Sequence, residues 1–389
     1  FAILFFMIGV IQDIYLKSGI FSPDSHDITT QLTLVGTIYQ GLSNVGVLIC
    51  NFLYDRLGAR KLTILGAFLV FGGFMLTGIA TSVWHIYLSL SVASSIGGAI
   101  MYGVSLRCIP QWFVKKRATA FGIPASSGAL GGLVFPFIIT KVYSTLGHHW
   151  IFYVLGFISL ATSTIAVVFL KDQLGQKNKQ VVKNKKTKNF DLSVLKQNDM
   201  VLWMINGPLA LSGRLVVFIF LPSYGTHVGM SGTQVATVTS IAAGSQFFGR
   251  ICLGIIGDWI GHMNMYIVSM GISSLSIFVM WMLANSFASL AGFSVIFGFF
   301  SGAYILVNPP IAVSIVGMDK YPCAINFSMI INLLVIAIPA ITSSVGTANN
   351  GSNDPFLPYK ITGGTLYGVC VLLTLILKFR RNPKIFAKI

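Results

Sequence analysis

An arginine inside an apolar helix costs a few kcal/mol or more unless it has a partner or a cavity, so each such residue marks a place where chemistry is expected. Arg250 lies in the apolar run 232–256, and Gln246 stands four residues earlier, one helical turn away on the same face. A guanidinium there offers a planar fork suited to two-point capture of a carboxylate. The competing reading is a structural pair, or a side chain reaching toward the cytosol. Arg214, in the run 200–223, follows Gly213 and is a candidate for selectivity against the alternative of outward snorkelling. Asp13 is the acid placed well inside a run, beside Gln12 and close to Tyr15, which makes it the leading carrier of a proton or a buried partner for a base such as Arg214. Arg107, three residues before Pro110, falls near the end of its run and is expected to gate or to snorkel.

The elements that must hold these groups follow from composition. Of the 389 residues 54% are hydrophobic and 9% charged, with mean hydropathy +0.80, whereas a soluble domain carries about a quarter charged residues. A water-soluble enzyme is excluded. Apolar runs between charged or Gly/Pro/Asn clusters predict twelve spans, 1–21, 29–54, 62–82, 85–109, 118–140, 149–170, 200–223, 232–256, 265–284, 287–315, 321–343 and 361–378, near the ~20 residues that a bilayer core demands.

All ten acids are Asp, and 26 Lys and Arg give a formal net charge of +16. The placement of the bases argues against a nucleic-acid partner: twenty fall in alternate connections and the C-terminal tail, three (Lys17, Lys141, Lys360) in the opposite loops, and three inside spans. That is the positive-inside pattern, and it fixes the cytosolic side. Asn350, in the sequence Asn350-Gly351-Ser352 of the loop 347–360, is then a glycosylation candidate on the outer face.

The polar, lysine-rich stretch between spans six and seven reads as a cytosolic linker. The expected organisation is a six-helix bundle over 1–171, a basic linker over 172–198, and a second six-helix bundle with a short tail over 199–389. Because the chain begins with Phe inside an apolar run, the first helix is expected to be truncated. Trp84, Trp150 and Trp203 near span ends are expected to anchor in the interface. Pro309 and Pro310 are expected to interrupt span ten, and Pro136 and Pro339 to bend spans five and eleven. Five of the six histidines (His26, His85, His148, His149, His227) fall at outer loops. The five cysteines sit in or at the ends of apolar runs without CxxC spacing, and no HExxH, GxSxG or GxxxxGK[ST] pattern occurs. No metal, cofactor, enzymatic activity or direct use of ATP is expected.

A shift of 203 residues brings the halves into register: Asp55 on Asp258, Gly58 on Gly261, Arg117 on Lys320, Pro136 on Pro339 and Gly46 on Gly249. Duplicated bundles are a transporter architecture, with the substrate near the midplane and rocking of the halves giving alternating access. Asp55-Arg56-Leu57-Gly58-Ala59-Arg60-Lys61 resembles the DxxGxRK loop between the second and third helices of the major facilitator superfamily. The resemblance implies an all-α polytopic fold of two pseudo-symmetric six-helix bundles and a cytosolic gate at Asp55, Gly58, Arg60, Lys61 and Arg117, with Asp258, Gly261 and Lys320 as the second copy. That copy has no Arg or Lys in its loop, which weakens the expectation of a latch there.

Four further segments resemble the monocarboxylate porter family, in its fungal branch: 8–16, 111–132, 220–231 and 244–258. Members that move lactate-like acids place an Asp four residues before the Arg of the eighth helix and couple the substrate to a proton. Here Gln246 replaces that Asp, and the first-helix Lys of proton-coupled members is missing, with Ile8, Gly9 and Gln12 in its neighbourhood. The resemblance implies a secondary transporter of a small organic anion, with proton symport, a lipid-embedded site and no stated accessory subunit. The alternatives are a carrier of a larger or neutral metabolite such as riboflavin, which Gln246 favours, and a non-transporting nutrient sensor. The expected location is the plasma membrane, with the vacuolar membrane as the other choice.

Overall fold

The computed structural model describes residues 25–113, 115–170, 191–336, 341–342 and 354–381. The first predicted span with Gln12, Asp13 and Tyr15, most of the linker, Pro339 and Asn350 lie outside them. The described chain is helical, without strands. Its helices are α1 Ser25–Gly78, α2 Val83–Trp112, α3 Arg117–Leu146, α4 His148–Phe169, α5 Asn198–His227, α6 Gly232–Ile260, α7 His262–Trp281, α8 Phe287–Ser301, α9 Ala303–Ile331 and α10 Leu357–Arg381.

Nine stretches of the described residues are long and apolar enough to cross a membrane, and two of them, Leu34–Gly78 and Phe287–Val335, run to 45 and 49 residues. One bilayer crossing uses about half that length. Each is divided by a glycine in the left-handed region, Gly58 (φ 76°) in α1 and Gly317 (φ 75°) in α9. Eleven crossings result, corresponding to predicted spans two to twelve. Gly261 (φ 96°) makes the equivalent turn between α6 and α7. Only a residue without Cβ adopts this conformation cheaply, which is the physical reason for a glycine three positions after each motif aspartate. At the start of α6, Ser231 caps the helix by accepting the Gln234 amide at 3.3 Å while Gln234 Oε1 accepts the Ser231 amide at 3.0 Å.

The chain forms two compact units, Phe1–Trp112 with Gly131–Phe190, and Phe113–Leu130 with Asp191–Ile389. In the first unit the core gathers Tyr39, Phe74, Ile86, Leu90, Phe152 and Leu155. In the second, Trp281, Phe293 and Phe297 stack in sequence at 5.6 and 5.3 Å between centroids, and Tyr367 meets Phe297 edge-on at 5.7 Å. The 203-residue repeat is visible inside each unit. A Cβ at Gly46 would come 3.2 Å from the Ile96 carbonyl oxygen, and one at Gly249 would collide with the carbonyl of Phe299. Ile96 and Phe299 are themselves 203 residues apart. The same close helix approach is thus built twice, each time on a glycine. Large apolar side chains such as Phe68, Phe137, Phe169 and Trp259 stand at 70% exposure or more, as a lipid-facing surface requires.

Three expectations are corrected. Trp203 does not face the interface: it is fully buried, donates from Nε1 to Asn308 Oδ1 at 2.9 Å and meets Tyr266 edge-on. Buried tryptophan needs a partner for its N–H, and Asn308 supplies it. Pro309 and Pro310 lie inside the helical run Ala303–Ile331, and the interruption of span ten is at Gly302 (φ −84°, ψ −1°). Lys360 is not a loop residue. It lies in the first turn of α10, 1% exposed, paired with Asp354 at 2.8 Å and 4.3 Å from the Tyr224 ring centroid.

Candidate functional site

The helix α6 carries the site. Gln246 and Arg250 are 0% and 3% exposed, and Gln246 stands at the middle of the 29-residue helix. Two close backbone approaches set their surroundings. On one side a Cβ at Gly122 would come 2.7 Å from the Arg250 carbonyl oxygen, and one at Gly254 would come 2.9 Å from that of Ala118. On the other side Gly298 is pressed against Ala242, and a Cβ at Gly302 would come 3.1 Å from Arg250 Nε. Arg250 therefore lies between the segment 118–125 and the helix break at Ser301–Gly302.

Its fork has neutral acceptors: Nη2 donates to Gln246 Oε1 at 2.8 Å and Nη1 to the carbonyl oxygen of Ala125. Position 246 thus supplies a neutral acceptor to the guanidinium in place of a carboxylate. Gln246 Nε2 is buried without a hydrogen-bond partner among the described residues. An unfilled donor beside a cation has the chemistry to meet an oxygen-rich anionic group.

Arg214 occupies the middle of α5, as Gln246 does that of α6. It is half-buried by surface area. Its Nε has no hydrogen-bond partner among the described residues, and the same holds for Tyr367 Oη and Ser301 Oγ. Gly213 brings the Tyr367 ring against α5, where a Cβ would lie 3.1 Å away. Tyr367, Ser301 and the Gly302 break were not singled out by sequence. The available signal was a glycine at the centre of span ten, masked by the two prolines that follow.

The two copies of the Asp-x-x-Gly turn bind differently. Asp55 Oδ1 accepts from Arg107 Nη1 at 3.2 Å, and Arg107 lies 4.4 Å over the Tyr54 ring. Arg107 is itself 9% exposed, while the side chain of Asp55 is 35% exposed, so the pair is only half withdrawn from solvent. Arg60 and Lys61 are exposed. Asp258 accepts the backbone N–H groups of Ala118 and Thr119 at 3.0 and 2.9 Å and the Thr119 hydroxyl at 2.6 Å, and His262 Nε2 lies at 3.2 Å. Its carboxylate caps the N-terminus of α3. Arg117 Nε turns back to the Phe113 carbonyl oxygen, and Lys320 donates to Ser193 Oγ. No group of three or more His, Cys or Asp side chains among the described residues could hold a metal ion.

Comparison with known proteins agrees with this architecture. The chain is 27% identical over 332 residues to a fujikurins efflux protein of Gibberella fujikuroi, covering 84% of this chain and 69% of that one. It is 29% identical over 302 residues to an aspyridones efflux protein of Emericella nidulans, covering 77% and 59%. The chain thus spans about six to seven tenths of the length of these curated relatives. Among solved structures, the proton:xylose symporter XylE superposes with a TM-score of 0.75 at 12% identity, covering 98% of this chain and 94% of that one. The Escherichia coli fucose:proton symporter FucP gives 0.73 at 13%, covering 97% of each. At these identities the likeness is one of fold. Residues 2–340 match the profile of the Major Facilitator Superfamily, and the chain belongs to that family of multi-pass membrane transporters, not to an enzyme family.

Proposed function

We propose that the chain is a secondary transporter of an organic anion, working by alternating access, with Arg250 holding the anionic group. The observation that carries this reading is a buried mid-helix guanidinium whose fork meets the neutral acceptors Gln246 and Ala125, beside an unfilled Gln246 amide. The substrate proposed first is a monocarboxylate-like acid, taken up across the plasma membrane with protons carried by Asp13. The turns at Asp55, Gly58, Arg60 and Lys61, and at Arg117, Asp258, Gly261 and Lys320, serve as the cytosolic gate.

Gln246 favours a second reading. With Gln246 in place of a carboxylate one turn from Arg250, no titrating group at that position takes up a proton before an anion binds, and Asp13 is the leading candidate for proton coupling. Curated relatives are described as efflux proteins for fujikurins and aspyridones, which favours export of a larger organic metabolite over uptake of lactate.

The test is reconstitution in liposomes with labelled lactate, pyruvate, acetate and riboflavin, with and without an inward acid gradient. Acid-stimulated uptake of a monocarboxylate supports symport. Uptake indifferent to the gradient removes proton coupling, and selective riboflavin uptake replaces the monocarboxylate reading with the larger-metabolite one.

A further inference from the structure

The Arg250 fork is closed by the protein's own groups. Nη1 donates to the carbonyl oxygen of Ala125 and Nη2 to Gln246 Oε1, and Arg250 and Gln246 are 3% and 0% exposed. A carboxylate reaches this guanidinium only after one of its neighbours moves.

Ala125 ends a strap formed by residues 118–125 of α3. The strap runs so close to α6 that a Cβ at Gly122 would come 2.7 Å from the Arg250 carbonyl oxygen, and one at Gly254 would come 2.9 Å from that of Ala118. At its other end the Asp258 carboxylate accepts the Ala118 amide at 3.0 Å, the Thr119 amide at 2.9 Å and the Thr119 hydroxyl at 2.6 Å. Two polar ties therefore hold roughly two helical turns of backbone against α6.

Only the Arg250 tie can be exchanged for a ligand. The strap offers it a single neutral carbonyl oxygen, whereas a carboxylate meets a guanidinium with two parallel charge-assisted bonds. The helix is also weakened beside this tie, because Pro124 has no N–H for the Ala120 carbonyl oxygen. Beyond Leu130 the same helix belongs to the other compact unit.

We infer that the Ala125 carbonyl is a built-in competitor of the substrate: an anion arriving at Arg250 displaces it and frees the strap 118–125 from α6, so that binding itself loosens the gate proposed at Asp258. This deepens the proposed function and rests on its organic-anion reading. Linkage makes the effect reciprocal, and a change that loosens the strap must tighten anion binding.

The experiment follows hydrogen exchange of residues 118–125 in the purified chain in liposomes, with binding of labelled lactate, pyruvate and acetate measured on the same samples. Without ligand, Arg250→Met should raise exchange of the strap about tenfold, the worth of one hydrogen bond from a charged donor, with exchange in α10 unchanged. An acid that binds should raise strap exchange in the unaltered chain and add nothing in Arg250→Met. Gly122→Ala sets a methyl group against the Arg250 carbonyl, and Thr119→Val removes one bond at the far end. Each should bind that acid about fivefold tighter than the unaltered chain, as the loss of one ordinary hydrogen bond from the closed strap implies. A strap with a structural role alone predicts equal or weaker binding in both.

Strap exchange unchanged in Arg250→Met, a rise shared equally by α10, strap exchange unmoved or lowered by a bound acid, or equal or weaker binding in either folded strap variant overturns the inference. If an acid binds and is lost in Arg250→Met while the strap does not respond, the inference fails and the organic-anion reading stands. If none of the three acids binds the unaltered chain, both fall.

Discussion

Asp55 and Asp258 occupy the same position in two copies of one turn, each three residues before a glycine with positive φ, and they use their carboxylates in different ways. Asp55 is 35% exposed on its side chain and pairs with the buried Arg107. Asp258 is 5% exposed and takes two main-chain amides and a hydroxyl. The first copy is an ion pair assembled from side chains, so its chemistry can be read as letters in the sequence. The second is a helix cap, and its donors are peptide groups that every residue but proline possesses. The missing Arg and Lys of the second loop therefore do not remove its grip on α3. They move that grip to the backbone.

The sharpest way to break this contrast is to remove each carboxylate. Asp258→Ala strands two amides and a hydroxyl at a helix start and is expected to cost about 3 kcal/mol of unfolding free energy. Asp55→Ala leaves Arg107 with the Asn51 carbonyl oxygen and the Tyr54 ring, and with a half-exposed partner lost the cost is about 1 kcal/mol. Denaturation of both variants in detergent checks the ranking, and equal losses would erase the distinction.

Next in size are the glycines. Gly58→Ala and Gly261→Ala should each cost about 1–2 kcal/mol through φ alone, so the two copies should agree here even though their aspartates differ. A Cβ at Gly58 meets nothing within 4 Å, and a much larger loss at that site would show an unrecognised contact. Thr119→Val tests the cap more finely, with about 1 kcal/mol lost on removal of its hydroxyl from Asp258.

The smallest effect comes from Asp354, a carboxylate that uses both kinds of donor, Lys360 Nζ at 2.8 Å and the Phe356 amide at 2.9 Å. Burial pushes its carboxyl up, but the hydrogen bonds from Lys360 and Phe356 and the charges of Lys360 and His227 outweigh it and hold it below the usual carboxylate range. A carboxyl whose folded value is depressed adds stability that is fully present above its unfolded value and is lost as pH falls through the folded one. Melting curves of the unaltered chain and Asp354→Asn should therefore differ at neutral pH by about 1 kcal/mol after solvent screening and converge at strongly acidic pH. A constant difference at every pH would mean that the ionised form is not what stabilises the loop.

Much of the architecture was legible because lipid imposes a simple grammar. Run length located the spans among the described residues, and the Asp-x-x-Gly turns located both repeats. Arg250, Gln246 and Arg214 were legible for a related reason: polar side chains in apolar runs stand out by cost. What could not be read were the partners made by folding. Tyr367 and Ser301 are ordinary letters in a helix until α8 and α10 bring them beside α5. Lys360 looked like a loop charge because its sequence neighbours are polar, while Tyr224 and Asp354 supply a buried seat for it. Pro309 and Pro310 drew attention away from Gly302, since a break follows from local conformation and packing against Arg250 as much as from residue type.

The account turns on Arg250 as the anion holder, and the most direct test is uptake of a transported labelled acid by liposomes bearing the unaltered chain or Arg250→Ala, matched for inserted protein. Saturable uptake that disappears in Arg250→Ala, with folding preserved by melting and gel filtration, is the predicted result. Uptake unchanged in rate and affinity would contradict the account and leave Arg250 as a structural tie between α6 and Ala125.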